Sequence, residues 1–229
     1  MSSYYKKLLV DLHCHSIFSD GELIPAELVR RLEVRGYSCV AITDHADHSN
    51  IDFILPRIVQ AAEILNRSFS TKLLPGIELT HVPPDLIPEL AIRARELGAK
   101  IVVVHGETLA EPVAPGTNRA AIESDIDILA HPGLISVEDV ALAAKRGIFL
   151  ELSARKGHCL TNGHVARLAR RYGAKLIVDS DAHAPDDFML PGEPQKIAEG
   201  AGLSISEVEE LFSILHSWLE DRFQIELPE

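Results

Sequence analysis

The chain has 229 residues, enough for one large α/β domain or two small ones and for a full apolar core without disulfides. Its formal net charge is −12, from 34 acidic and 22 basic residues, which argues against a non-specific nucleic-acid or membrane surface. The three cysteines form no CxxC pair and indicate a reducing compartment. No apolar run approaches about 18 residues, and none follows the N-terminal lysines. We therefore expect a cytoplasmic protein without a membrane span.

Strand and helix patterns alternate along the whole chain. Apolar runs predict strands at residues 8–10, 39–43, 73–79, 101–104, 126–130, 148–152 and 175–178. Pro25 suits the start of the first helix, Asn50 the N-cap of the second, and Ser136 a capping-box-like start of the fifth. Further helical patterns lie near residues 195–200 and 206–223. Seven βα units with short connections predict an α/β fold with parallel strands and outer helices, either a closed barrel or an open sheet.

The first strand leads into Asp11-Leu12-His13-Cys14-His15. Because side chains alternate along a strand, His13 and His15 are expected on one side, and Leu12 and Cys14 on the other. Two imidazoles at the carboxyl end of a buried strand are half of a metal site.

Six of the seven predicted strands end in histidine or a carboxylate at a matching point. Ligands from nearly every strand require the strand ends to converge, which favours a barrel over an open sheet. Grouping so many ionisable side chains costs desolvation unless metals or hydrogen bonds compensate. With Asp20 from the following turn, the candidate ligands number nine: His13, His15, Asp20, His45, Glu78, His105, His131, Asp181 and His183.

The composition of this set predicts the kind of metal. Imidazole and carboxylate ligands without a convergent cysteine suit Zn²⁺, Mn²⁺ or Fe²⁺. Nine ligands are too many for one mononuclear site, so we expect two or three divalent metal ions.

In these motifs the sequence resembles the PHP (polymerase and histidinol phosphatase) superfamily of metal-dependent phosphoesterases. The matching motifs, in family order, are Asp11-Leu-His-Cys-His15, Ser19-Asp-Gly21, Thr43-Asp-His45, Gly76-Ile-Glu78, His105, His131-Pro-Gly133 and Ser180-Asp-Ala-His183. They span about residues 8–190. The resemblance implies a distorted seven-stranded (β/α)7 TIM-like barrel and a trinuclear metal site. We expect one such domain over residues 1–229, with C-terminal helices (193–223) packed on the barrel.

The resemblance also implies how the ligands divide among three metals. One metal would be held by His13, His15, Glu78 and Asp181. Glu78 would bridge to a second metal, which His105 and His131 also bind. The third would be held by Asp20, His45 and His183.

These features predict a phosphomonoesterase that hydrolyses a small phosphorylated metabolite, such as histidinol phosphate or a nucleotide, with a metal-activated hydroxide. Cationic and imidazole side chains near the strand ends are the candidate substrate ligands: Arg155, Lys156, His158, Arg119 and His81. The candidate catalytic residues are Asp44 and Glu107, as groups that orient histidines or relay a proton, and His183.

Three other functions remain open at this stage. One is a phosphodiesterase or exonuclease acting on nucleic-acid ends, although the negative charge makes nucleic acid an unexpected partner. Another is metal-dependent C–N hydrolysis on a similar barrel. The last is a non-catalytic metal-binding domain. The sequence does not indicate an oligomeric state.

Overall fold

A computed structural model gives the structure of the chain and describes residues 9–225. The strands are β1 Leu9–Cys14, β2 Tyr37–Ile42, β3 His45–Ala46, β4 Lys72–Leu79, β5 Ile101–His105, β6 Ile128–Ala130, β7 Phe149–Ser153 and β8 Lys175–Asp179. The helices are α1 Pro25–Val34, α2 Ile51–Leu65, α3 Ile87–Glu96, α4 Thr117–Glu123, α5 Val137–Arg146, α6 Asn162–Tyr172, α7 Glu193–Gly200 and α8 Ile205–Phe223. The lysines near the N-terminus and Leu8 of the predicted first strand lie outside the described residues.

The strands form a parallel sheet in the order β1-β2-β4-β5-β6-β7-β8. The two-residue β3 is additional to the seven predicted strands and pairs His45 with Glu78 on β4. Consecutive main strands are neighbours, and helices lie in the connections between them, as expected for a βα barrel.

The barrel closes between its last and first strands. Cys14 forms a parallel bridge with Ala182, and His15 N donates to Ala182 O at 2.8 Å. Below this bridge, Leu12 N donates to the Asp179 carboxylate at 2.7 Å. The closure is therefore short and partly made by a side chain. This confirms the predicted distorted seven-stranded barrel.

Helix starts agree with the sequence patterns in part. Pro25 begins α1, and Ser136 caps α5 by accepting from Asp139 N at 3.1 Å. Asn50 precedes α2, but its side chain does not cap the helix. It accepts instead from Asp47 N and donates to His45 O, and so braces the loop that carries His45.

The apolar core forms two layers. The outer layer lies between the strands and helices α1–α7, together with the N-terminal half of α8. The inner layer consists of alternate strand residues together with the C-terminal half of α8, where Trp218 meets the first residue of β7, Phe149, edge-on at 5.1 Å. Helix α8 thus covers the end of the barrel where the strands begin. Within residues 9–225, no helix combines the length and the apolar character needed to cross a membrane.

The alternation predicted for β1 is wrong at one point. Leu12 packs in the inner layer, whereas Cys14 packs in the outer one. The reason is an irregularity in the pairing with β2: Asp11 pairs with Val40 but Cys14 with Ile42, so three steps on β1 match two on β2. A bulge of this kind shifts the side-chain parity. Leu12 can therefore fill the barrel below His13.

We expect Leu219→Ala, within α8, to destabilise the protein by about 2–5 kcal/mol, because the Leu219 side chain is fully buried in the inner layer. Chemical denaturation of the metal-free protein measures this change. Glu220→Ala, at the neighbouring exposed position, is the matched control and should stay within about 0.5 kcal/mol. Equal midpoints for the two variants would contradict the packing described here.

Candidate metal centre

The structure brings all nine candidate ligands together at the end of the barrel where the strands finish. Six of them lie on a strand or directly after one, and Asp181 and His183 lie in the loop after β8. The strand ends are where βα barrels position functional groups. Most are buried, but the Asp20 side chain is 55% exposed and that of His45 is 27% exposed. The cluster therefore has a buried floor and one open side, near Asp20 and His45.

The floor is formed by ligands from β1, β4 and the β8 end. His13 Nε2 lies 3.3 Å from Glu78 Oε1, and His15 Nε2 lies 3.2 Å from Asp181 Oδ1. Two ligand atoms bound to one zinc ion at about 2.0–2.2 Å in tetrahedral geometry are about 3.3–3.6 Å apart. These separations suit a shared metal. His13, His15 and Glu78 can converge on one ion, as can His13, His131 and Asp181.

The open side is formed by Asp20, His45 and His183, which His15 also approaches. Asp20 lies 3.2 Å from His183 Nε2 and 3.5 Å from His45 Nε2. The turn carrying Asp20 depends on the following Gly21, where a Cβ would lie 2.2 Å from His15 O. This close approach is the physical reason for glycine after Asp20 in the motif.

A third group lies around β5 and β6, where His105, His131 and His158 present nitrogens within 4.8 Å of one another. His105 Nδ1 lies 3.1 Å from Gly106 O, which leaves Nε2 directed into the cluster. Glu78 Oε1 is 4.0 Å from His131 Nε2. One carboxylate thus faces both the His13 side and the His131 side of the cluster.

The donor set fits divalent metals. Among the described residues, buried atoms without a hydrogen-bond partner include His13 Nε2, both ring nitrogens of His15, Glu78 Oε1 and His131 Nδ1. Buried polar atoms are rarely left without a partner, because the desolvation penalty is large. Metal coordination would satisfy several of these atoms and would offset the charge of the buried carboxylates.

Glu151, on β7, lies beneath the ligands. Its Oε1 is 2.7 Å from His13 Nδ1, and its Oε2 accepts from His131 N at 2.9 Å. A carboxylate on Nδ1 fixes the tautomer in which Nε2 is free for a metal. Burial raises the pKa of Glu151 to about 7, and the neighbouring His13 opposes this shift.

Neighbouring carboxylates and burial set the protonation of the imidazoles. Burial lowers the pKa of His15 to about 4 and brings that of His131 well below its usual value, with His105 adding to the effect on His131. Burial also lowers the pKa of His13, but Glu151, Glu78 and Asp181 together raise it well above the usual value. His15 and His131 are therefore neutral near pH 7, the form that binds metals.

Comparison with known proteins identifies the family. The sequence profile of the PHP domain matches residues 11–228. The chain belongs to the PHP domain family. Its class is thus that of the metal-dependent phosphoesterases, as the motifs predicted.

Two related sequences and one solved structure extend this result. An uncharacterized protein of Methanocaldococcus jannaschii is 47% identical over 90% of this chain and 94% of its own length. Ribonuclease P protein component 3 of Methanosarcina barkeri is 27% identical over 92% and 87% of the two chains. The histidinol phosphate phosphatase of Lactococcus lactis, crystallised with zinc, L-histidinol and phosphate, matches with a TM-score of 0.63 at 16% identity, covering 86% of this chain and 95% of its own. The structural match supports the PHP fold.

Arg155 is the predicted substrate ligand that lies closest to the nine candidate metal ligands. Its guanidinium donates to Asp181 O at 3.0 Å and lies 2.8 Å from His183 Nδ1. The neighbouring Lys156 is exposed and lines a cavity beside Arg155 and His183. His81 and His158 both approach Glu111, with Nε2–carboxylate distances of 3.0 and 3.5 Å.

Asp44 and Glu107 do not orient histidines in the described part of the chain, contrary to the sequence-based interpretation. Asp44 accepts from the backbone and hydroxyls of Ser16 and Ser19, and so holds the turn that leads to Asp20. Glu107 accepts from Gly116 N and Asn118 N. Both carboxylates brace loops that lead to or border the site, because backbone N–H groups there need acceptors.

Among the described residues, Arg119 pairs away from the candidate metal ligands. Its guanidinium pairs with Asp139 at 2.6 Å and approaches Glu123, so it joins the outer helices α4 and α5. The loop position after β5 suggested proximity to the barrel mouth, but the helix turns the side chain outward.

Glu151 and Glu111 were not among the predicted site residues. Glu151 has a signal in the sequence, since it is a lone acid within the apolar run Phe149-Leu-Glu-Leu152. Such a residue is costly in a buried strand unless it has partners. Glu111 has no comparable signal, because an acid in a Pro-containing loop is typical of solvent-exposed chain.

We expect Glu151→Gln to weaken zinc binding about 10- to 100-fold, because glutamine cannot fix the His13 tautomer as a carboxylate does. Competition with a chromophoric chelator measures the affinity. Glu63→Gln, at an exposed position on α2, is the control and should bind zinc like the parent protein. Unchanged affinity in Glu151→Gln would show that the carboxylate does not support the ligands.

Proposed function

We propose that this PHP domain chain is a metal-dependent phosphomonoesterase that acts on a small phosphorylated metabolite. The observation that carries the proposal is the position of Arg155 beside the ligand cluster. Its side chain is 32% exposed and lies within 3.7 Å of the Asp181 carboxylate. A partly desolvated guanidinium next to candidate metal ligands is suited to a phosphate that bridges both.

Two or three divalent metals at this centre would supply Lewis acidity, which makes water nucleophilic near neutral pH and offsets charge on phosphoryl oxygens. The chain's own part is positioning. His13, His15, Glu78 and Asp181 would hold metal at the floor, and Glu151 would keep His13 oriented. Arg155 would bind the non-bridging phosphate oxygens and stabilise the charge that develops as the ester bond breaks.

A cavity beside Arg155 and His183 supports a small substrate. Its volume is about 780 Å³, and it is bounded by the loops after β7 and β8 and by α7. Phe188 and Met189 give it an apolar wall. Its charged lining is mixed, with Lys156 and Lys196 beside Asp186, Asp187 and Glu193. A volume in this range accommodates a metabolite or a nucleotide. The position of Lys156 in the lining of this cavity supports the proposal that Lys156 contacts the substrate.

The relatives named ribonuclease P protein component 3 support a second candidate, the binding or processing of RNA. The net charge of −12 opposes it, because binding to a phosphate backbone depends on basic surface. RNA therefore enters the test as a competing substrate.

The protein loaded with Mn²⁺ or Zn²⁺ should release phosphate from at least one small ester in a panel of sugar, amino-alcohol and nucleotide monoesters. We expect kcat/KM for the best ester to exceed that for a labelled oligoribonucleotide, because the centre adjoins a cavity of metabolite size rather than a long basic groove. Phosphate release and gel electrophoresis measure the two activities. Turnover of neither, or of RNA alone, would contradict the proposed monoesterase.

Arg155→Ala should lower kcat/KM for that ester about 100-fold, since it removes a charged donor aimed at the phosphate. Metal content should change little, because the Arg155 guanidinium is not a ligand. Arg67→Ala, at an exposed position after α2, is the matched control and should keep the parental kcat/KM. Parental kcat/KM in Arg155→Ala would show that Arg155 does not bind the phosphate.

A further inference from the structure

Three polar side chains lie against the metal centre but are absent from the nine-ligand set. They are His81 from the loop after β4, Glu111 from the loop between β5 and α4, and His158 from the loop after β7. All three contact one another or the nine ligands through ring nitrogens and carboxylate oxygens. Their arrangement has the form of a coordination shell.

Glu111 directs both carboxylate oxygens at imidazoles. Oε2 lies 3.2 Å from His105 Nε2, and Oε1 lies 3.5 Å from His158 Nε2. These separations match those of atoms that share one zinc ion, about 3.3–3.6 Å. The carboxylate side chain is 41% exposed, so Glu111 reaches the centre from a loop rather than from the buried floor.

His158 is buried and held in a defined orientation. Its Nδ1 lies 2.8 Å from Thr108 Oγ1, and its ring stacks on that of His131 with centroids 4.0 Å apart. The remaining nitrogen, Nε2, lies 4.0 Å from Asp181 Oδ2. An imidazole with one nitrogen engaged and the other directed at ligand atoms is poised to bind a metal.

His81 adds a backbone observation. Four non-glycine residues in the described chain have positive φ: His81 (54°), His131 (26°), Asp181 (53°) and Gln224 (54°). Two of these, His131 and Asp181, are candidate ligands. Side chains rarely adopt this conformation, and it tends to persist where surrounding structure requires it. At His81 it presents Nε2 to Glu111 at 3.0 Å.

We propose that Glu111 and His158 are two further ligands of the metal held by His105 and His131, and that His81 positions Glu111. The inference concerns metal binding and holds whether or not the proposed phosphatase reaction occurs. Together with Glu78, which faces His131 at 4.0 Å, the site would offer three imidazoles and two carboxylates. Such a set suits Zn²⁺, with Mn²⁺ or Fe²⁺ as alternatives. His158 then acts on the metal rather than on substrate.

A consequence is that the loop of residues 106–116 is tied to this metal through Glu111. Its base is braced independently, because Glu107 accepts from Gly116 N and Asn118 N. The loop thus presents Glu111 from a fixed support. Removing the Glu111 carboxylate should lower the affinity for this metal without unfolding the loop.

The experiment measures zinc content by mass spectrometry and zinc affinity by chelator competition on the full chain. Glu111→Ala and His158→Ala should each lower the affinity for one of the bound zinc ions about 10-fold or more. The double variant should no longer bind that zinc ion. Glu63→Gln and His48→Ala, both at exposed positions, are the matched controls and should retain the parental zinc content. Circular dichroism of the zinc-free proteins checks that each variant is folded.

Cobalt substitution gives a second readout. The Co²⁺ absorption of the weakened site should change in Glu111→Ala and in His158→Ala, because each removes a ligand. His81→Ala should lower the zinc affinity of the parent chain. In the Glu111→Ala background it should have no further effect, because a positioning residue acts only through Glu111. Parental zinc affinity and Co²⁺ spectra in both ligand variants would overturn the proposal. An effect in only one variant would show that the residue changed in the other variant is not a ligand. Phosphatase activity does not enter these measurements, so the two proposals fail separately.

Discussion

The burial of many ionisable side chains at one end of the barrel is the constraint on which the rest of the structure depends. Separate imidazoles and carboxylates in this environment would be strongly destabilising. Here the opposite charges face one another. Burial raises the pKa of Asp181, but the neighbouring His13, His15 and His131 lower it by more, so the net pKa lies below its usual value. Part of the cost is thus offset within the protein. The ring nitrogens of His13 and His15 that lack a hydrogen-bond partner are available to divalent metals, which would offset the remaining cost.

The same constraint explains the polar groups beneath and around the ligands. Glu151 serves two strands at once, since its carboxylate contacts the His13 ring and the His131 backbone. Asp44 holds the turn before Asp20, and Thr80 lies between His45 and Glu78. His13, His45 and Glu78 therefore each have a further polar group that orients the side chain, which limits how far it can move.

The barrel and its ligands were predictable because strand ends converge, so that residues such as His13, Glu78 and Asp181 become neighbours despite their separation in sequence. The alternation of apolar and polar residues along a strand does not show where a bulge interrupts it. The bulge at Asp11–Cys14, which sends Leu12 inward, depends on pairing with β2. Side-chain direction on a loop or short helix is equally non-local, and for this reason Arg119 was misplaced and Glu111 was missed.

Helix α8 has a consequence for how the chain acquires its structure. It supplies Leu215 and Leu219 to the interior formed by strands that begin at Leu9, so the barrel interior is incomplete until the last helix has been synthesised. During translation, β1 to β7 would expose their inward faces and an open edge to solvent, where unpaired strands are prone to aggregate. Contacts between chain segments this distant also slow folding. A chain of this design depends on late, cooperative closure, and its yield in a cell should be sensitive to chaperones that protect nascent strands.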